Sequence, residues 1–286
     1  MRGLLGLSYF FSILFRYNHS MRIFDGNYHA QLLDEKIKRF LETHKVSKKL
    51  AIIQVGDNLA STKYVNLKKR YCTMLGVPVE VCNINSDNKD DIIVNKVRDV
   101  FEDETIGGGI IQLPLPRKSL GDLLNIIPIE KDIDTISNIG ITQFYAGDFS
   151  RLSPVVRATM YYLNICDIPK GITATIIGEG DLVGKPLAFY LTKMGNNVQI
   201  IPNYATGMHI NCQLLVLSAG VPNLVQGQDI LPGVAVIDFG SSVVNGKTTG
   251  DLDLNSNLNH LSWVSPSPGG MGPLVIRFLV MNFLGI

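Results

Sequence analysis

The chain has 286 residues, 46% hydrophobic and 18% charged, which fits about two globular domains with ordinary cores. Its 26 basic and 25 acidic side chains leave a net charge of +1, so no basic surplus points to nucleic acid and no charged block to an interaction tail. Cys72, Cys82, Cys166 and Cys212 form no C-x-x-C and the five histidines show no ligand spacing, so a cytoplasmic enzyme with reduced thiols and no structural metal is expected.

Residues 1–20 carry no acidic side chain and hold an apolar run from Gly3 to Phe15. The run is short for a membrane span, and no small-x-small cleavage site follows it. It reads as an extension or mis-assigned start before Met21, with a membrane anchor or organelle presequence as the alternative. No membrane partner is expected for the remainder.

From Met21 onward short apolar runs alternate with helical patterns. LAIIQV (50–55) predicts a buried strand, residues 60–75 a helix stopping at Gly76, and VEVCNI (79–84) a second strand. A helix over 90–103 and the strand GGIIQL (108–113) follow. The second half repeats the scheme: strand 173–178, helix 185–195, and strands 196–201, 213–220, 234–240 and 261–266. The alternation predicts parallel βαβ units in an α/β protein. The polar, proline-bearing stretch 148–154 is a plausible junction, and residues 272–284 form a terminal helix expected to pack back on the first domain.

Five segments could carry chemistry. SxxYxxxK places Ser61, Tyr64 and Lys68 on one helix face. A phenol beside an amine suits proton transfer once burial or positive neighbours lower the lysine pKa; the plain alternative is a solvated basic face with Lys63, Lys69 and Arg70. In GGGIIQLPLP (107–116), Gln112 ends a strand where open α/β sheets bind ligands, unless it is an incidental edge residue. EKDIDTI (130–136) offers Asp132 and Asp134, either as paired carboxylates or as loop and cap residues.

IIGEGDLVGKP (176–186) joins strand to helix, and Gly178, Gly180 and Gly184 suit a phosphate-binding turn, although the third glycine falls one residue late for G-x-G-x-x-G. Pro202, Asn203 and Tyr204 stand where a ribose-reading acid is expected. WVSPSPGGMGPLV (263–275) is stiff and bare: a connector, or a wall for a flat ligand.

Taken together and in order, VGDNLASTKYVNLKK, IIQLPLP, KDID, IIGEGDLVGKP, AVIDFG and SPSPGGMGP resemble the bifunctional methylenetetrahydrofolate dehydrogenase/methenyltetrahydrofolate cyclohydrolase family, from about Met21 to the C-terminus. The resemblance implies a three-layer catalytic domain over 21–150, completed by helix 272–286, and a Rossmann-like NAD(P)-binding domain over 151–271, with a cleft between. It implies Lys68 as general acid/base, Gln112 as its orienting partner, Tyr64 along the folate ring and Asp134 accepting from the pterin. Ile111, Leu113, Pro268, Gly269, Gly270, Gly272 and Pro273 would complete the folate pocket. Gly178, Glu179, Gly180, Val183, Gly184, Asn203 and Ser241 would hold the dinucleotide. A homodimer, tetrahydrofolate one-carbon substrates and NADP are also implied.

The chain departs from that pattern in places. Glu179 stands for an arginine that binds the 2′-phosphate of NADP, and Gly180 and Asn203 each stand for a serine, which makes NAD the alternative cofactor. Thr135 stands for a glycine, SPVVRAT (153–159) for a Pro-Cys-Thr-Pro segment, and Val275 for a threonine. A monofunctional dehydrogenase and a non-catalytic binding relative are the competing readings.

Overall fold

Two parallel sheets and the helices that cover them make up the computed structural model, which describes residues 21–286. The readings of residues 1–20 lie outside the described residues.

In the first half, β2 (Lys49–Val55), β3 (Val79–Ile84) and β4 (Ile106–Ile111) form a parallel sheet in the order β3-β2-β4. β2 alternates between two apolar layers: Ile52 faces one buried cluster, while Ile53 and Val55 face another. Around this sheet lie α1 (Gly26–Thr43), α2 (Leu59–Leu75) and α3 (Asp90–Glu102), with α4 (Asn138–Tyr145) after two short 3₁₀ segments. The helices are bounded by local chemistry. The Asp25 carboxylate accepts from the Asn27 and Tyr28 amides to start α1, and Gly76, at φ 77°, closes α2 in the left-handed region.

The larger sheet contains β5 (Thr173–Ile177), β6 (Asn197–Ile201), β7 (Leu214–Leu217), β8 (Ala235–Asp238) and β11 (Trp263–Ser265), joined at one edge by β1 (Arg22–Ile23). Its order is β1-β11-β8-β7-β5-β6 with every pair parallel. α6 (Gly184–Lys193) follows β5, and β9 (Ser242–Val244) and β10 (Lys247–Thr249) form a separate hairpin. α5 (Pro154–Ile165) and α7 (Met271–Leu284) pack on each other, and one apolar cluster runs through them from Leu50 and Ile52 to Leu214 and Val216.

Most predicted strands and helices lie where expected, within a residue or three at their ends. β1, the β9–β10 hairpin, α1, α4 and α5 have no counterpart in the sequence reading. Strands of two or three residues are too short for a period-2 signal. β1 also means that a segment ahead of the first domain's helices adds an edge to the other sheet.

α7 also contacts α1 and α2. Arg277 donates from Nε and Nη2 to both carboxylate oxygens of Asp34 on α1, at 2.9 and 2.8 Å, and its guanidinium lies 3.6 Å from the ring centre of Tyr71 on α2. This planar fork, buried among three helices, holds α7 against α1 and α2.

Candidate active site

Both sheets have a topological switch point, where consecutive connections leave a central strand on opposite sides. β2 lies between β3 and β4, and β5 between β6 and β7. In open α/β sheets ligands bind beyond the strand ends at such points, and the two switch points here open onto one cavity of about 490 Å³.

α2 forms one wall. The Asn58 side chain accepts from the Ser61 amide at 3.0 Å to start the helix, and Val65, Cys72 and Leu75 are buried. That registration brings Tyr64 and Lys68, one turn apart, to the cavity. Ser61 is buried and donates to the Leu113 carbonyl at 3.2 Å, tying the start of α2 to the exit of β4.

At that exit the Gln112 amide extends the ladder to the Ile53 carbonyl at 2.8 Å. Its side chain is fixed from both ends: Nε2 donates to the Leu113 carbonyl at 2.8 Å, and Oε1 accepts from Lys68 Nζ at 3.0 Å. Ile111, Gln112 and Leu113 all line the cavity. Burial holds the Lys68 ammonium below the ordinary lysine value, partly offset by the negative charge of Asp134. Burial raises the Asp134 carboxyl, against the pull of Lys68. Each shift moves its group toward the neutral form.

The two aspartates of the DID segment do different work. Asp132 is 4% exposed, and its carboxylate accepts from the amides of Asp134, Ile136 and Ser137 at 2.9–3.3 Å. Asp134 lines the cavity with Thr135 and Ile136, whereas Asp132 lines a second cavity of about 520 Å³ behind the loop. The paired-carboxylate alternative therefore fails: Asp132 is the loop residue, and only Asp134 faces the main cavity.

Across the cleft, Asp181, Leu182, Val183, Lys185 and Pro186 at the start of α6 complete the cavity. The turn before them needs two of its glycines. A Cβ on Gly184 would stand 2.1 Å from the Gly178 carbonyl oxygen, and one on Gly178, which sits at φ 99°, would stand 2.6 Å from the Ser218 backbone. This close crossing brings the positive end of the α6 dipole to the cleft, a fit for a dinucleotide pyrophosphate. Gly180 has open space around it. Glu179 and Asn203 are exposed and lie outside the cavity lining. Ser241, after β8, meets the Tyr64 hydroxyl at 2.5 Å and so bridges the two halves.

The proline- and glycine-rich stretch divides. Gly272 and Val275 line the cavity. Pro268, Gly269, Gly270 and Pro273 are not in its lining; the glycines serve chain crossing. The Gly269 carbonyl accepts from the Gly26 amide at 2.9 Å, and a Cβ on Gly26 would fall 1.7 Å from the Gly270 oxygen. The sequence reading passed over Ile141, Phe144, Tyr145, Asp181 and Lys185, all of which line the cavity. Lys185, in the first turn of the helix after the glycine turn, could have been found from that placement; the aromatic pair Phe144–Tyr145 had no distinguishing spacing.

The family profile described as the tetrahydrofolate dehydrogenase/cyclohydrolase catalytic domain matches residues 24–134, and that of the same family's NAD(P)-binding domain matches residues 157–286. The chain is 30% identical over 273 residues to the bifunctional protein FolD of Hydrogenobaculum sp. (strain Y04AAS1), covering 92% of this chain and 98% of that protein. It is 31% identical over 270 residues to FolD of Lactobacillus acidophilus, covering 91% and 94%. The crystal structure of the bifunctional FolD methylenetetrahydrofolate dehydrogenase/cyclohydrolase from Campylobacter jejuni superposes with a TM-score of 0.85 at 29% identity, covering 93% of this chain and 98% of that one. With both halves matched and nearly the whole length aligned, the chain belongs to the tetrahydrofolate dehydrogenase/cyclohydrolase family.

Proposed function

We propose that this protein oxidises 5,10-methylenetetrahydrofolate to the 5,10-methenyl form with a nicotinamide dinucleotide and hydrolyses the product to 10-formyltetrahydrofolate. One observation carries the reading: a burial-weakened lysine, held by Gln112 and beside Asp134, faces the start of the nucleotide turn across a single cavity.

Bound along α6, the dinucleotide supplies the hydride acceptor. The chain's own part in that step is placement: Tyr64 and the Gly272–Val275 wall confine the folate ring, and Val183 and Pro186 bound the cavity opposite them. Loss of hydride leaves a methenyl cation, to which water adds. Lys68 in its neutral form takes one proton from that water and returns it to the ring nitrogen as the carbon–nitrogen bond opens, while the remaining hydroxyl proton leaves to solvent as the formyl carbonyl forms, with Gln112 fixing the amine's direction. Asp134 accepts from the N–H groups of the pterin. The catalytic roles of Lys68, Gln112, Asp134 and Tyr64 are thus one proposal, supported by their meeting in one cavity.

We further assign NAD as the preferred cofactor. Glu179 is exposed at the nucleotide turn, and a carboxylate there would repel a 2′-phosphate. A cytoplasmic homodimer completes the proposal.

The test is an absorbance assay of methenyl formation and decay, with NAD and NADP in parallel. Formation followed by decay supports both activities, formation alone leaves a dehydrogenase, and neither overturns the reading. A kcat/KM favouring NADP overturns the cofactor assignment.

A further inference from the structure

We infer that Thr135 is a specificity-determining contact of the folate cavity, its hydroxyl pairing with the polar edge of the heterocycle beside Asp134. The inference rests on the folate reading above.

Thr135 has φ 58°, in the left-handed region. The other non-glycine residues there among the described residues are Asp167, Asn223 and Asn245, types whose short polar side chains tolerate it. A β-branched residue does not. The neighbours impose the conformation: Asp132 grips the amides of residues 134, 136 and 137 and passes over 135, and the Ser137 hydroxyl then caps α4 by accepting from the Gly140 amide at 3.1 Å. A Cβ on Gly140 would come within 2.8 Å of Asp132 Oδ2, so the loop has little room to relax.

Glycine would make this turn without strain, so threonine needs another reason to be there. Packing does not supply one: Thr135 is half-exposed and lines both cavities. Internal bonding does not either, because its hydroxyl has no hydrogen-bond partner among the described residues. Strain that local contacts do not repay, held in place by a rigid loop at a cavity wall, points to a ligand. A hydroxyl donates and accepts, whereas an ionised carboxylate only accepts. Thr135 next to Asp134 therefore suits a flat ring that presents donors and acceptors on one edge.

The experiment titrates tetrahydrofolate, and separately NAD, into wild type, T135V, T135S and T135G by calorimetry, with thermal unfolding of each. T135V keeps the shape and strain but loses the hydroxyl, so its tetrahydrofolate affinity should fall by about three- to tenfold with NAD affinity and Tm unchanged. T135S should bind like wild type. T135G should bind tetrahydrofolate more weakly while melting about 2–4 °C higher, a divergence that a merely structural residue would not produce. Equal binding by all three variants overturns the inference, as do equal losses in T135S and T135V or tighter binding by T135G. Wild type that binds no tetrahydrofolate overturns the folate reading and this inference with it.

Discussion

Replacing Lys68 with methionine keeps an unbranched apolar stem on α2 and deletes only the amine. Two effects follow, and their sizes differ. The hydrogen bond to Gln112 Oε1, 3.0 Å long, has a charged donor and is worth about 1.5–3 kcal/mol where fully formed. Loss of a positioned proton-transfer group costs about 10²–10⁴ in rate, roughly 3–5 kcal/mol of barrier. The second effect falls on hydrolysis, because hydride transfer asks only for placement. Lys68→Met should therefore slow methenyl decay by about 10²–10⁴-fold and methenyl formation by no more than about tenfold. Stability responds to two opposing effects. Burial lowers the folded lysine's pKa below its unfolded value, so at neutral pH the unfolded chain binds the proton more readily and the amine destabilises the fold. That cost is lifted only as pH rises from the folded toward the unfolded pKa; methionine removes it but also gives up the bond to Gln112, so the two effects offset and Tm should move by no more than about 5 °C. Wild-type hydrolysis should increase with pH through a midpoint below the ordinary lysine value, and the variant's residual rate should not follow that profile. A variant that hydrolyses at near wild-type rate, or one that loses both activities together with its fold, refutes the role given to Lys68.

Arg277→Met leaves Asp34, 6% exposed, without its guanidinium; breaking a buried pair costs about 3–5 kcal/mol, so thermal unfolding should occur roughly 10 °C lower, and a loss under about 2 °C would show that the pair does not hold α7. Gly184→Ala forces a Cβ to 2.1 Å from the Gly178 oxygen, which should weaken NAD binding by at least about tenfold while tetrahydrofolate binding persists; unchanged calorimetric affinity for NAD would separate the turn from the nucleotide. Glu179→Arg exchanges repulsion for a charge-assisted contact and should raise kcat/KM for NADP relative to NAD by about 10- to 100-fold. An unaltered ratio would mean that residue 179 does not approach the 2′-position.

Where a stretch of sequence dictates its own structure, it was readable. The run 79–84 predicts a strand and forms β3 over the same residues, because Val79, Val81 and Ile84 favour extended backbone and the whole run pairs with β2. α2 stops where Gly76 predicts, since a left-handed residue there closes the helix. β1 was not readable, for the opposite reason: two exposed residues carry no period, and only the presence of β11 gives them a partner. The wall formed by Ile141, Phe144 and Tyr145 likewise exists because the Asp132 loop and Ser137 cap aim α4 at the cleft, a placement that no local spacing encodes.

The candidate site shows the same division at the level of single side chains. Residue type and spacing nominated Lys68 and Gln112, and one hydrogen bond joins them across 44 positions of sequence. They could not decide between Asp132 and Asp134, which are chemically identical and two residues apart. The decision comes from competition for backbone amides. Three N–H groups in the loop just before α4 need an acceptor, Asp132 lies close enough to take all three, and its neighbour two residues on is left free to face the ligand. Once Asp132 is committed, Thr135 is driven into the left-handed region and its hydroxyl has no partner among the described residues. One carboxylate's structural duty thus creates both the free carboxylate and the strained threonine. Asp132→Ala should accordingly degrade folate binding though Asp132 lines only the rear cavity. Calorimetry showing wild-type affinity for tetrahydrofolate in that variant would break the link between the loop's internal bonding and the site.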